Sequence, residues 1–482
     1  MAKTLSANSL VWESPLHMVT PSPALQPGPS GGDEPKFADL QLGPLDLMFD
    51  YHNSVILFYD ARPSIVSLGS NGRTSERGYE LPEVRLRRAL EQLLVHQPSA
   101  AGVLVQNESG DRVQIKYPVA PFVDGDGAKR APFVYGVPFH VAHANIALAD
   151  LGDVSIPDPS LDILYPPMPK QGVGDDGCVL PRFVMSFQVT TFTCGGFSIA
   201  HVCSHAYADG YTAAVFIQNL CSIARGEGLA VEVDRPVTST TAVMGPREPP
   251  CPTLDHSFIK AWKPAKIQGV HLQRATATRM VVSMEALKAL RNSVGIPCSR
   301  NQVLLALLWR AHARVRRVVH GLPGDEEEVM AFPMNLRTRG IPGVGEGFVG
   351  NAVYLCPVRS TISQLLEMPL SSLVRKIRRA AVENLDIAAC TQSLIDYVEL
   401  QLREGLVPRN TSFTMPSLVS LPFYETDCGW GRPTYVGRPS QQIHNLSIVL
   451  DHPAANAWNV LTVFRSLEER ACFEEVFRDY VS

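Results

Sequence analysis

The sequence lacks the signatures of several large protein classes. Its ten cysteines include no C-x-x-C pair, which speaks against a zinc ribbon and a thioredoxin-like site. No apolar run reaches the length of a membrane helix, so no membrane partner is expected. No secretory signal pattern opens the chain, and the expectation is a cytoplasmic protein with reduced, mostly buried thiols. A Rossmann glycine motif, a G-x-S-x-G nucleophile elbow and a fixed-period repeat are all missing. A formal net charge of -4 and a pI near 6.4 give no whole-chain basic field, so nucleic acid is not an expected partner.

What is present suits an ordinary globular protein. The 482 residues are 45% hydrophobic and 19% charged, enough for two or more domains with a sizeable core. Residues 1–38 are proline-rich with little hydrophobic period and read as an extended lead-in. Val55–Tyr59 reads as a buried strand, Pro82–His96 as an amphipathic helix, and the apolar runs around Asn107–Asp111 as a hairpin. Residues 227–262 lose this regularity and carry Pro236, Pro246, Pro249, Pro250 and Pro252, so they read as a linker. The expected layout is an N-terminal domain over 39–226 and a C-terminal domain over 263–482. In the second half, Thr278–Val282, Phe348–Val358, His444–Leu450 and Trp458–Phe464 read as strands, Asn301–Val318 as a helix, and 362–404 as mostly helical. Strands and helices mix in both halves, which predicts an α/β class with mixed sheets.

The most informative stretch runs from Arg182 to Gly226. Phe183, Met185, Phe187 and Val189 alternate as on a strand, Cys194-Gly195-Gly196 supplies a turn, and Phe197, Ile199, His201, Cys203 and His205 fall at every second position. After Asp209-Gly210 the period becomes helical and stops at Gly226. His205 thus stands at a strand end, and imidazole is the usual general base near neutral pH. The plainer reading makes it a core histidine and Asp209 a helix N-cap. His201, His205 and Asp209 at spacings of four would suit a metal on a helix, but the strand period argues against that, and no metal is expected. Two further stretches stand out. In Asp427-Cys428-Gly429-Trp430-Gly431 two glycines flank a tryptophan, which marks a tight loop. In Asn335-Leu336-Arg337 the arginine is a candidate partner for Asp209.

Together these stretches resemble the BAHD family of acyl-CoA-dependent acyltransferases. The family's H-x-x-x-D-G motif is matched by His205 to Gly210, and its D-F-G-W-G motif by Asp427 to Gly431, with Cys428 in place of phenylalanine. Leu45-Asp46, Cys194–Phe197, Asn335–Arg337 and Gly350–Val353 extend the likeness. The resemblance implies two similar domains related to chloramphenicol acetyltransferase, each a mixed sheet with helices, with a channel between them. It implies a monomer with no resident cofactor, taking acyl-CoA as co-substrate and a small alcohol or amine as acceptor. His205 would be the general base and Asp209 a structural partner of Arg337 or Arg339. Asp427, Gly429, Trp430 and Gly431 would support the fold, and the Trp430 indole is a candidate oxyanion donor. His52, Ser299 and Ser420 are the substrate-binding candidates. Ser420 stands where hydroxycinnamoyl-CoA:shikimate enzymes carry an arginine, which disfavours a carboxylate-bearing acceptor. Lys260, Lys263, Lys266 and Ser299-Arg300 are candidates for CoA phosphates. Some family-like chains are instead silent partners in lipid elongation.

Overall fold

The two apolar stretches either side of Cys194–Gly196 form a hairpin, and the first sheet grows outward from it. The computed structural model describes residues 9–12, 16–22, 36–49, 51–60, 80–119, 135–156, 158–166, 182–234, 240–262, 276–383, 386–410, 413–438, 445–453 and 456–481. In chain order the elements are β1 (Leu10–Trp12), β2 (His17–Val19), β3 (Lys36–Gln41), α1 (Pro44–Leu47), β4 (His52–Tyr59), α2 (Pro82–His96), β5 (Val103–Gln106), β6 (Val113–Val119), β7 (Val137–Ala144), β8 (Arg182–Phe183), β9 (Met185–Phe192), β10 (Phe197–Ser204), α3 (Gly210–Arg225) and α4 (Thr241–Met244). They continue with β11 (Ile259–Trp262), β12 (Thr276–Ser283), α5 (Met284–Val294), α6 (Arg300–Val318), β13 (Glu327–Asn335), β14 (Val353–Thr361), α7 (Ile362–Glu367), α8 (Leu370–Arg378), α9 (Ile387–Arg403), β15 (Val407–Asn410), β16 (Phe413–Thr414), β17 (Tyr435–Gly437), β18 (Ser447–Asp451), β19 (Ala457–Phe464) and α10 (Leu467–Val481).

The chain divides into two compact units. The first holds the residues up to Val243 together with Glu346–Asn351 and Pro422–Pro439; the second holds Met244–Gly345, Ala352–Leu421 and the chain from Ser440. The Asp427–Gly431 loop therefore belongs to the first unit, although it lies late in the sequence. The reason is local: β17 pairs with β4, and Cys428 is bonded to Cys221.

In the first unit the larger sheet has the order β1-β7-β9-β10-β4-β17, with β2 also on β7. β7 and β9 run parallel and the remaining pairs antiparallel, so the sheet is mixed. All eight residues of β10 are buried, as suits a central strand. A second sheet follows β3-β6-β5-β8. Within the proline-rich lead-in, Leu10–Trp12 and His17–Val19 pair with β7 and so cover an edge that would otherwise present free backbone groups. α3 is capped by Asp209, the residue before its first turn, whose carboxylate accepts from the Thr212 N–H at 2.8 Å. It ends at Gly226 in the left-handed region at φ 85°, where glycine carries no Cβ penalty.

In the second unit three sheets follow β12-β19-β18, β14-β13-β16 and β11-β15. α6 is buried along Val303–Trp309, and α5, α7, α8 and α10 pack around it. β14 starts at Val353, later than the expected Phe348. Gly350 lies at φ 137°, outside strand geometry, and Gly347 and Asn351 are bound to first-unit groups. β18 begins at Ser447, and His444 falls outside the described residues.

The thiols correct the expectation of ten reduced cysteines. Cys221 on α3 and Cys428 form a disulfide, both essentially buried, while Cys194, Cys203, Cys251, Cys298, Cys356, Cys390 and Cys472 are free. The cysteine that replaces phenylalanine in the second motif is thus the one that meets α3. The bond spans a sequence separation of 207, and cross-links that close long loops typically stabilise by about 2–4 kcal/mol. Adding dithiothreitol is expected to lower the melting temperature, and alkylation without reductant should spare Cys221 and Cys428. Quantitative alkylation of both in native, unreduced protein would contradict the pairing.

Candidate active site

The strand that ends at Ser204 passes into a turn that presents His205. Ser204 carbonyl oxygen accepts from the N–H groups of Tyr207 at 3.0 Å and Ala208 at 3.2 Å, and the His205 N–H donates to Tyr51 carbonyl at 2.8 Å. Asn53 Nδ2 donates to the Ala208 carbonyl at 2.9 Å and closes the turn. The imidazole lies stacked on Phe49, with centroids 4.3 Å apart, and edge-on to Tyr51 at 4.7 Å. It remains partly exposed, whereas Ala206, Tyr207, Ala208 and Asp209 are buried.

A polar relay fixes which nitrogen carries the proton. Asn351 Nδ2 donates to the His205 carbonyl at 2.7 Å and to Asp46 Oδ1 at 3.0 Å. Both partners are acceptors, so the amide NH₂ must face them and Asn351 Oδ1 must face His205 Nδ1, 3.0 Å away. Nδ1 therefore holds the proton, and Nε2 has a free lone pair. Asp46 anchors the relay: it is 2% exposed and also accepts from Gly43 N–H at 3.0 Å and Thr240 Oγ1 at 2.6 Å. Burial pushes its carboxyl above the ordinary value, and these hydrogen bonds pull the other way. Gly350 is needed beside Asn351, because at φ 137° a Cβ there would stand 3.1 Å from the Phe348 ring.

Burial also drives the His205 imidazole down to about 4; its own backbone, Asp209 and Asn351 oppose this, and Arg438 adds to it. The ring is neutral at pH 7, the form that accepts a proton at Nε2. His201 lies inside β10 between Phe187, at 4.7 Å, and Phe216, at 6.0 Å, and among the described residues no three ligating side chains cluster.

These positions match a known pattern across the chain. A family model described as the Transferase family matches residues 33–478. The chain belongs to the BAHD acyltransferases. It is an acyl-CoA-dependent acyltransferase of that family. It is 26% identical over 393 residues to omega-hydroxypalmitate O-feruloyl transferase of Arabidopsis thaliana, covering 79% of this chain and 78% of that protein. It is 27% identical over 403 residues to putrescine hydroxycinnamoyltransferase 1 of Oryza sativa subsp. japonica, covering 80% and 83%. Among solved structures, vinorine synthase shares the fold with a TM-score of 0.67 at 19% identity, covering 98% of both chains. TRI101 of F. graminearum, solved with coenzyme A and deoxynivalenol, does so with a TM-score of 0.65 at 16% identity, covering 90% of this chain and 96% of that one.

The other expected residues of this BAHD chain are distributed as follows. Asp427 Oδ1 accepts from the Gly429 and Gly431 N–H groups, each at 2.7 Å, and both glycines take positive φ, 99° and 93°. Arg225 Nη1 donates to the Asp427 carbonyl. Trp430 packs edge-on against Phe197, with centroids 5.2 Å apart, and under the Arg85 guanidinium at 4.7 Å. That contact corrects the oxyanion assignment. Phe197 begins β10 and His205 follows its end, so at about 3.3 Å per residue the two lie roughly 26 Å apart. The Trp430 indole is beyond reach of the reacting atoms.

His52 is exposed at the start of β4, in register with Ser204. Ser299 and Ser420 lie in the second unit. Ser299 Oγ is taken up as the α6 N-cap, accepting from Gln302 N–H at 3.1 Å. Ser420 adopts φ 67° and donates its N–H to Asp451 Oδ2 at 2.8 Å. Arg337 is buried in the second unit beside Asn335, whose Oδ1 accepts from its backbone N–H at 3.1 Å. Of the cation candidates, Lys260 is exposed on β11, Lys263 and Lys266 lie outside the described residues, and the Arg300 guanidinium sits 5.4 Å over the Trp458 ring. Sequence reasoning missed Asn351, Asp46, Phe49 and Tyr51 as residues in contact with His205 or its relay. The Leu45-Asp46 and Gly350-Asn351 pairs were visible in the family pattern, but nothing in it assigned them a role.

Proposed function

We propose that this enzyme moves a hydroxycinnamoyl, or other aromatic or aliphatic, acyl group from CoA to a hydroxyl or amine, with His205 as general base. The observation that carries the reading is the His205 Nδ1–Asn351 Oδ1 contact of 3.0 Å, which leaves Nε2 free to take a proton. Nε2 removes the proton from the acceptor O–H or N–H as that atom attacks the thioester carbonyl. The new C–O or C–N bond forms, the tetrahedral intermediate collapses, the C–S bond breaks, and Nε2–H returns the proton to the CoA thiolate. Holding both substrates in one site supplies proximity, so no covalent acyl-enzyme is required. Asp209 and Arg337 are proposed as structural residues, and the Asp427–Gly431 loop as support for the fold. We further propose that the enzyme acts as a monomer in the cytoplasm with no resident cofactor; alkylation of Cys221 and Cys428 in intact cells bears on that location.

The names of the two relatives, one acting with an alcohol and one with putrescine, support keeping both acceptor classes open. The test is mass spectrometry of products from a matrix of acyl-CoA donors and alcohol or amine acceptors. Free CoA released only when an acceptor is present supports the reading; no acceptor-dependent release with any pair supports a silent partner protein.

The depressed His205 value supports an expected pH dependence. The base form is present above the folded value and is lost as pH falls through it. Thus kcat/KM is expected to stay level from neutral pH to about 5 and to fall through about 4, with circular dichroism confirming that the fold survives over that range. An acid limb centred on 6.5, the ordinary histidine value, would contradict the desolvated site.

A further inference from the structure

Arg438 is a cation for which the described protein supplies no counter-ion. It directly follows β17, which pairs with β4 at Val436↔Leu57 and Gly437↔Ile56. β4 is the neighbour of β10, the strand that ends one residue before His205. The Arg438 Nε–H is closed off from solvent and makes no hydrogen bond. The groups within its field are the phenols of Tyr165 and Tyr51 and the thiol of Cys203, and His205 senses the charge as well. Phenols and thiols are neutral at pH 7, and burial drives Cys203 up to about 12 and Tyr165 well above its ordinary value. None of them compensates the guanidinium. The Tyr165 hydroxyl is itself buried without a hydrogen bond, and the Tyr51 ring touches the His205 ring.

A guanidinium withdrawn from water is unfavourable unless an anion meets it. Here two donors, Arg438 Nε–H and Tyr165 O–H, find no partner among the described residues of the unit that carries His205. A carboxylate is the planar, acceptor-only group that an arginine fork matches. We propose that Arg438, with Tyr165, recognises a carboxylate on one of the two substrates and so sets specificity. The proposal rests on the reading of His205 as the reaction centre. It also answers the expectation drawn from Ser420: the arginine absent at that position has a counterpart elsewhere in the chain, just after β17, whose neighbour β4 lies beside the strand that leads to the base.

The carboxylate belongs either to the acceptor or to the acyl group, and two ligand pairs separate these sources. Binding of 4-hydroxybenzoate against its methyl ester, and of malonyl-CoA against acetyl-CoA, is measured by calorimetry on the full chain. In one pair the carboxylate member is expected to bind at least tenfold more tightly. Arg438→Met is expected to abolish that advantage and to leave the neutral member unchanged, while Arg438→Lys retains part of it. No carboxylate preference in either pair, or a preference that survives Arg438→Met, overturns the proposal. Because Arg438 has no ion pair among the described residues to lose, Arg438→Met should melt no lower than wild type; if it fails to fold, Tyr165→Phe reads the same preference. Binding is scored apart from turnover. If His205→Ala keeps full activity the base assignment fails, and the carboxylate preference and its dependence on Arg438 are still decided by calorimetry.

Discussion

His205→Ala is expected to lower kcat by roughly 10²–10⁴-fold, the range a positioned general base contributes, while the protein folds as before. The two expectations have separate structural causes. The backbone contacts at this position, its N–H to the Tyr51 carbonyl and its carbonyl to Asn351 Nδ2, do not involve the ring and survive truncation. What is lost is the lone pair on Nε2 and the ring packing against Phe49 and Tyr51. The ring is partly exposed, so the space it leaves is open to water, and a large cavity cost is not expected. CoA release under saturating substrates, read beside a thermal melt, decides the matter. An unchanged kcat removes His205 from the chemistry; a collapsed melt would show that the ring is a packing residue.

Asn351→Leu has the second largest expected effect, and it acts through His205. The leucine keeps roughly the volume but offers Nδ1 no acceptor and Asp46 no side-chain donor. The imidazole is then free to take the other tautomer, with the proton on Nε2, where it cannot act as base. A misassigned histidine tautomer lowers kcat by up to about 10⁴-fold in a Ser-His-Asp triad. Here the ring is still held by Phe49 and Tyr51, and a loss on the order of 10²-fold is expected. Stability should also fall, by about 1–3 kcal/mol, because a buried carboxylate loses a donor. KM should change little, since Asn351 acts through His205 and not on substrate. A variant that raises KM with kcat intact would mean that Asn351 binds substrate directly.

Much of the fold was legible in the sequence because its periods were clean. The alternation from Phe183 to Ser204 and the switch to helical spacing after Asp209 correspond to β9, β10 and α3. Leu86, Leu90, Leu93 and Leu94 form the buried stripe of α2. The failures have physical causes. Phe348–Asn351 has strand-like composition, but the glycine conformation and the bond from Asn351 to Asp46 pull it out of β14. The disulfide could not be read from spacing, since its two cysteines are 207 positions apart and meet only once the chain has folded. The Trp430 indole is an oxyanion candidate by its motif, but it packs on Phe197, at the end of β10 away from His205. The relay was invisible for the same reason: Asp46, His205 and Asn351 are far apart in sequence, and an asparagine that orients a histidine looks like any other asparagine. Arg438 was hidden among ordinary loop arginines until the neutrality of its neighbours could be seen.

The protonation state of one ring tests the account most directly. ¹⁵N NMR of protein labelled at histidine, with His205→Ala used to assign the resonance, reads which nitrogen carries hydrogen. The relay predicts a neutral ring at pH 7 with the proton on Nδ1, titrating near 4. A proton on Nε2, or a charged ring at neutral pH, contradicts it.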